Sequence, residues 1–251
     1  MEDPTADPAF VARVRACWQD GFGGVAGDLD RPGTTLIEVD GRDPDAWVVL
    51  WPAGRRVVTE VGSRGADRLR TLLAGRPTDH LLTADEVAGG WPDRPLERQR
   101  QHLYGLDVRR LAPVEPRHGL RVVLLDEADR PMFDAFLAAC PDDDREEGDV
   151  DIGGEHEVTV GIAEGTRLLA VASMYAWRGF SDLGVLTDPV ARRQGAGRAV
   201  VAALCRHLAD HDRVVVYRHR SENLGSRGIA RSLGLVPIGT ADALRPLDVA
   251  G

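Results

Sequence analysis

The chain has 251 residues, 43% of them hydrophobic and 28% charged, which is enough apolar material for one large core or two small ones. Its formal charge of −9 argues against general binding to nucleic acid or to an anionic membrane, and it suits a cationic partner or simple solubility. Cys17, Cys140 and Cys205 show no paired spacing, and no run reaches the roughly 18 apolar residues of a membrane helix, so the expectation is a cytoplasmic protein without disulfide framework, zinc knuckle or membrane span.

In chain order, residues 8 to 20 read as a helix with Phe10, Val11, Val14 and Trp18 on one face. Three strand-like runs follow, Thr35 to Val39, Ala46 to Trp51 and Arg56 to Val61, separated by the turn signals Asp40-Gly41 and Pro52-Ala53-Gly54. A helix from Gly65 to Leu73 and a second around Pro95 to Tyr104 complete a first half that carries no catalytic motif. Gly62-Ser63-Arg64-Gly65 reads as an ordinary strand-to-helix turn. The proline-punctuated stretch Leu111 to Gly119 marks a boundary, dividing an N-terminal α/β region (1–115) from a second unit (116–251).

The second unit opens with a strand, Leu120 to Leu125, and a helix, Ala128 to Ala139, with Met132, Phe133, Phe136 and Leu137 inward. An acidic loop follows. Strands are expected near Val158 to Ala163, Arg167 to Tyr175 and Leu183 to Thr187, then a helix from Gly195 to Asp210, a β-branched strand, Val214 to Tyr217, and a last helix, Asn223 to Leu233. This order implies a mixed α/β fold: a mainly antiparallel sheet ending in one βαβ crossover.

The run Arg192-Arg193-Gln194-Gly195-Ala196-Gly197-Arg198 stands between a strand and an amphipathic helix. Backbone N–H groups bared by two glycines at a helix start form a donor site for phosphate oxygens, and the helix dipole and arginines favour the same anion. A Rossmann dinucleotide site fits poorly, because Val200 takes the third glycine position and Asp188 to Gln194 separate the strand from Gly195. On the last helix Asn223 is placed to cap, and Gly234-Leu235 fits a left-handed stop.

Gly184-Val185-Leu186-Thr187-Asp188-Pro189, Arg192-x-x-Gly195-x-Gly197, Asn223-x-x-Ser226 and Leu233-Gly234-Leu235 together resemble the GNAT superfamily of acyl-CoA-dependent N-acetyltransferases, of the bacterial type with an extra N-terminal region. The motifs cover 183–236, the fold-level likeness 118–245, and the first half is at most a degenerate copy of the same fold. The resemblance implies transfer of acetyl from acetyl-CoA to a primary amine, with the amides of Arg193 to Arg198 on the coenzyme pyrophosphate and the pantetheine arm along Val185, Leu186 and Thr187. It further implies that the Leu186 N–H polarises the thioester carbonyl and that Asn223 and Ser226 touch the pantetheine or phosphate arm.

Many members carry a tyrosine seven residues after that asparagine to protonate the departing thiolate; here the position is Ala230, which leaves Ser226 or Tyr217 as substitutes. Asp182, at the entry to the thioester strand, is the leading candidate for general base. Glu155, His156 and Glu157 are further candidates for passing a proton, and Trp177 and Phe180 read as core or rim residues. Residues 142–157 hold nine acids and one Arg, which favours a small cationic amine as acceptor if the segment is more than a solvated loop. The histidines show no metal spacing, so no metal is expected. The rival reading is a module that binds acyl-CoA without turnover.

Overall fold

The computed structural model describes residues 6–21, 32–38, 48–53, 56–61, 63–91 and 95–247. The turn expected at Asp40-Gly41, and Gly54 and Gly62 of the other two N-terminal turn signals, lie outside them. In the first half, α1 (Pro8–Gly21) is followed by β1 (Thr34–Glu38), β2 (Val48–Ala53), β3 (Arg56–Val61), α2 (Ser63–Leu73), α3 (Ala84–Gly89) and β4 (Leu96–Gly105). The second half runs β5 (Arg121–Leu125), α4 (Arg130–Ala138), α5 (Asp142–Gly148), β6 (His156–Glu164), β7 (Arg167–Trp177), β8 (Phe180–Thr187), α6 (Ala196–Asp210), β9 (Val215–Arg220), α7 (Leu224–Leu233) and β10 (Val236–Pro246).

All ten strands form one sheet in the order β1-β3-β2-β10-β4-β9-β8-β7-β6-β5. The pairs are antiparallel except β1 with β3 and β8 with β9, the latter closed by the crossover through α6. No break in the sheet marks the boundary expected near residue 115: β4, from the first half, lies between β9 and β10 of the second.

Two local expectations are corrected, and one strand was not foreseen. Pro95 to Tyr104 is strand, not helix, although Arg, Gln and Glu are good helix formers. Antiparallel pairing along both edges, with β10 and with β9, satisfies its backbone and overrides propensity. The acidic loop folds into α5, whose first turn carries Asp142, Asp143 and Asp144 where the helix dipole favours acids. β10, unread in the sequence, follows the left-handed stop at Gly234 (φ 73°).

The core lies on both faces of the sheet. On one, α6 buries Val200, Val201, Leu204 and Leu208 against Ile162, Ala172, Leu183 and Tyr217. On the other, Phe133 and Phe136 of α4 pack with Val171 and Leu186, while α1 brings Trp18 to Trp51, Trp177 and Phe180.

Candidate active site

The parallel pairing of β8 with β9 covers only Ser181↔Val215 and Asp182↔Val216, after which the two strands part. The sheet is therefore open between Leu183 to Thr187 on one side and Tyr217 to Arg220 on the other, and a cleft of about 720 Å³ fills the opening. α5 lies over β8 at two glycines. A Cβ on Gly184 would fall 2.0 Å from the Asp149 carbonyl oxygen, and one on Gly148 would fall 3.0 Å from that of Val185, so this approach excludes side chains.

Amide direction decides which β8 groups serve the cleft. The Ser181 amide donates to the Val214 carbonyl at 2.8 Å, on the β9 side, and the Asp188 amide to the Leu169 carbonyl at 3.0 Å, on the β7 side. The β7–β8 register is unbroken from Trp177↔Phe180 to Ala170↔Thr187. Amides alternate sides along a strand, so those of Leu183, Val185 and Thr187 face the opening. The Leu183 amide is taken by Asp182 Oδ1 at 3.0 Å. Among the described residues the Val185 and Thr187 amides thus have no partner and serve as the donors, whereas the Leu186 amide faces Val171 on β7, and the donor role expected of Leu186 is corrected on that ground. The Leu186 side chain is core.

The cleft ends at the start of α6. Gly195 is its N-cap in the left-handed region (φ 87°), Arg193 is left-handed too (φ 62°), and no side chain caps the helix. The first intrahelical bond runs from the Ala199 amide to the Gly195 carbonyl, so the amides of Ala196, Gly197 and Arg198 precede the helical ladder. Gly197 is needed for close packing: a Cβ there would lie 2.7 Å from Thr187 Oγ1. Arg198 lines the cleft, and its buried Nε has no hydrogen-bond partner among the described residues. These residues fit a pyrophosphate and pantetheine arm: bared amides at a helix start, an orphaned guanidinium nitrogen, and a strand edge with free donors.

Other expected residues are present but engaged. Arg192 Nη2 donates to Asp144 Oδ2 at 2.6 Å, and Gln194 turns outward, its Nε2 donating to the Val190 carbonyl at 2.7 Å. Ala196 packs inward and contributes only its backbone. Asn223 Oδ1 accepts from the Ser226 amide at 2.9 Å, the expected cap, while its Nδ2 donates to Glu147 Oε1 at 2.7 Å. Ser226 lines the cleft, with Tyr217 on the facing strand. The Tyr217 hydroxyl is buried beside Ser226, with no well-formed hydrogen bond among the described residues, and burial raises its pKa well above the ordinary phenol value against the opposing pull of Ser226, so it stays protonated.

Asp182 lies on the cleft floor, 1% exposed. Its Oδ2 accepts from Arg218 Nε at 2.6 Å and from the Tyr175 hydroxyl at 3.0 Å, and Arg218 Nη2 also contacts it. Burial raises its pKa, against the opposing pull of Arg218 and Tyr175. The side chain is thus held in place by Arg218, Tyr175 and the Leu183 amide. Arg218 also rests 4.4 Å over the Trp177 ring. Glu155 and Glu157 do not line the cleft; Glu157 pairs with Arg213, and His156 Nδ1 is 2.8 Å from Ser173 Oγ.

Tyr175, Arg218, Gln99 and Gln101 belong to no sequence motif. All four line the cleft, and the two glutamines come from β4 of the first half. Among the described residues no group of three or more His, Cys, Asp or Glu is placed to hold a metal, and no helix is long and apolar enough to cross a membrane.

The acetyltransferase (GNAT) family model matches residues 122–235. A GNAT-family acetyltransferase from Colwellia psychrerythraea is similar in fold over 98% of this chain and 99% of its own, with a TM-score of 0.51 and 12% identity. A GCN5-related N-acetyltransferase-like protein from Streptococcus suis is similar over 94% of this chain and 99% of its own, with a TM-score of 0.51 and 14% identity. A GCN5-related N-acetyltransferase from Kribbella flavida is 21% identical over 61% of this chain and 60% of its own length, with a TM-score of 0.46. No curated protein matches the sequence. The opened sheet and the bared helix start lie within the segment that the family model matches: residues 122–235 carry an acetyltransferase (GNAT) family domain.

Proposed function

We propose that the protein is an N-acetyltransferase that moves the acetyl group of acetyl-CoA to a small, cationic primary amine. The observation that carries this reading is the parting of β8 from β9 beyond Asp182, which turns the Val185 and Thr187 amides toward a cleft ending at the uncapped start of α6. When bound, acetyl-CoA supplies a thioester carbon open to attack by an amine. The Val185 amide is the donor for the oxygen on which charge develops, a contribution commonly worth roughly 10²-fold in rate. Positioning a neutral amine against that carbon supplies much of the rest.

Tyr217 is the donor for the departing sulfur. It stands on the α7 side of the opening, in the same core cluster as Ala230, so a strand tyrosine occupies the side where the resemblance expects one from the helix. A thiol of pKa about 8.5 leaves with little help, so a hydrogen bond from a neutral phenol suffices. Ser226 is the second donor on that side. Asp182 acts here as a positioning residue that fixes Arg218 and Tyr175. The carboxylates of Glu146, Glu147 and Asp149 along the cleft draw a cationic amine inward. Three free cysteines, all buried, suit a reducing cytoplasm.

Thiol release from acetyl-CoA, measured with and without a panel of primary amines, tests the reading. Amine-dependent thiol release with formation of the acetylated amine is expected. Coenzyme A binding without release on any amine contradicts it and favours the binding module, for which Ala230 is the specific observation.

A further inference from the structure

Arg218 anchors a chain of side-chain amides that runs out along β4. Its Nη1 donates to Gln101 Oε1 at 3.2 Å, and Gln101 Nε2 donates to Gln99 Oε1 at 3.3 Å. A guanidinium has donors only, so it dictates which end of Gln101 faces it. Gln101 must present its oxygen to Arg218 and its NH2 to Gln99, which in turn must present its oxygen to Gln101. The orientation of the whole chain is thereby set by one cation. Its free end is the Gln99 NH2, with the second N–H of Gln101 beside it, and both side chains line the cleft. Among the described residues these protons have no acceptor.

The charge of the surroundings narrows what they bind. Arg218 is neutralised by Asp182, so Gln99 and Gln101 add neutral donors to the β4 side of the cleft, beside the Arg220 guanidinium at the register partner of Gln101. The opposite wall carries Glu146, Glu147 and Asp149. A free carboxylate on the ligand is repelled by that wall, whereas an ammonium is drawn to it and a neutral oxygen fits the amide donors.

We propose that Gln99 and Gln101 read a neutral hydrogen-bond-accepting oxygen on the acyl acceptor, so that the preferred acceptor is an amine bearing a hydroxyl, ether or carboxamide oxygen near its nitrogen. This rests on the acyltransferase reading above and makes the first half part of the acceptor site. One neutral hydrogen bond sets the size of the effect, about five- to tenfold in kcat/KM over the alkylamine of the same length. Gln99→Leu removes the donors and brings that ratio close to one.

The experiment has two arms. In the first, kcat/KM is compared for an alkylamine and its hydroxyl and ether analogues with the wild type and Gln99→Leu. A ratio near one in the wild type, or an undiminished ratio in the variant, overturns the proposal while turnover itself still upholds the acyltransferase reading. In the second, an amino-acid amide is titrated into the full chain saturated with coenzyme A, and the side-chain amide signals of Gln99 and Gln101 are followed by NMR. Selective movement of those signals supports the proposal even if no amine is acetylated, and unmoved signals at millimolar ligand overturn it.

Discussion

At Tyr217 the buried hydroxyl lies beside Ser226 without a well-formed hydrogen bond among the described residues, so replacement by an apolar ring costs the fold little. Tyr217→Phe is therefore expected to melt close to the wild type and to lose about tenfold to a hundredfold in kcat with little change in KM for acetyl-CoA. Calorimetry beside steady-state kinetics checks this, and an unchanged kcat assigns the sulfur donor elsewhere, first to Ser226. Asp182 carries the opposite expectation. Removing its carboxylate leaves the buried Arg218 guanidinium without its counter-charge, so Asp182→Ala is predicted to cost about 3–5 kcal/mol by chemical denaturation. A variant that keeps its stability but loses turnover would restore Asp182 as a base. The motif residues Gly195, Gly197 and Asn223 were legible because turn geometry, close packing and capping each restrict residue type locally. The donor amide was not: its side of the strand depends on the ladder partner, and a shift of one residue exchanges Leu186 for Val185.

The element with most influence over the cleft entrance is α5. Its Asp144 and Glu147 hold Arg192 and Asn223, two residues expected to serve the coenzyme, and it brings negative charge toward a polyanion. Glu147→Gln is predicted to tighten coenzyme A binding a few-fold at low salt, with the gain shrinking as ionic strength rises. Titration calorimetry at two salt concentrations measures it, and weaker binding would make Glu147 a partner of the ligand instead of its competitor. Strand β4 shows why part of the site escaped the sequence. Leu96-Glu97-Arg98-Gln99-Arg100-Gln101 has no apolar alternation, because on one face Arg98 and Arg100 point to Asp242 of β10 and on the other Gln99 and Gln101 enter the cleft. Asp242 is pushed up by burial and pulled down further by bonds from Arg100 and Arg98, with a net pKa below its ordinary value. A depressed carboxylate contributes stability above its unfolded pKa of about 3.9 and loses it as pH falls through the folded value. Asp242→Asn should thus be less stable than the wild type at pH 7, with a shallower loss below about pH 4 in denaturation series. Equal curves for the two proteins would show that this pair contributes nothing.

Across the whole molecule, the mixed sheet and its crossover were readable from the order of strands and helices in the second half, where hydrophobic periods are clean and punctuation is strong. The union of the two halves was not, because it depends on β10 passing between β2 and β4, a pairing of residues more than 130 positions apart in sequence that no local pattern encodes. That union places Gln99 and Gln101 opposite the acidic wall of α5, and it makes the donor cleft a property of one chain with one opening. The most direct test of the central claim is an amide NMR titration of the full chain with coenzyme A. The account predicts saturation at one equivalent, with the largest shifts at the amides of Ala196, Gly197, Arg198, Val185 and Thr187 and a smaller one at Leu186, whose amide is turned to β7. Absence of binding, or shifts centred away from the opening between β8 and β9, would contradict it.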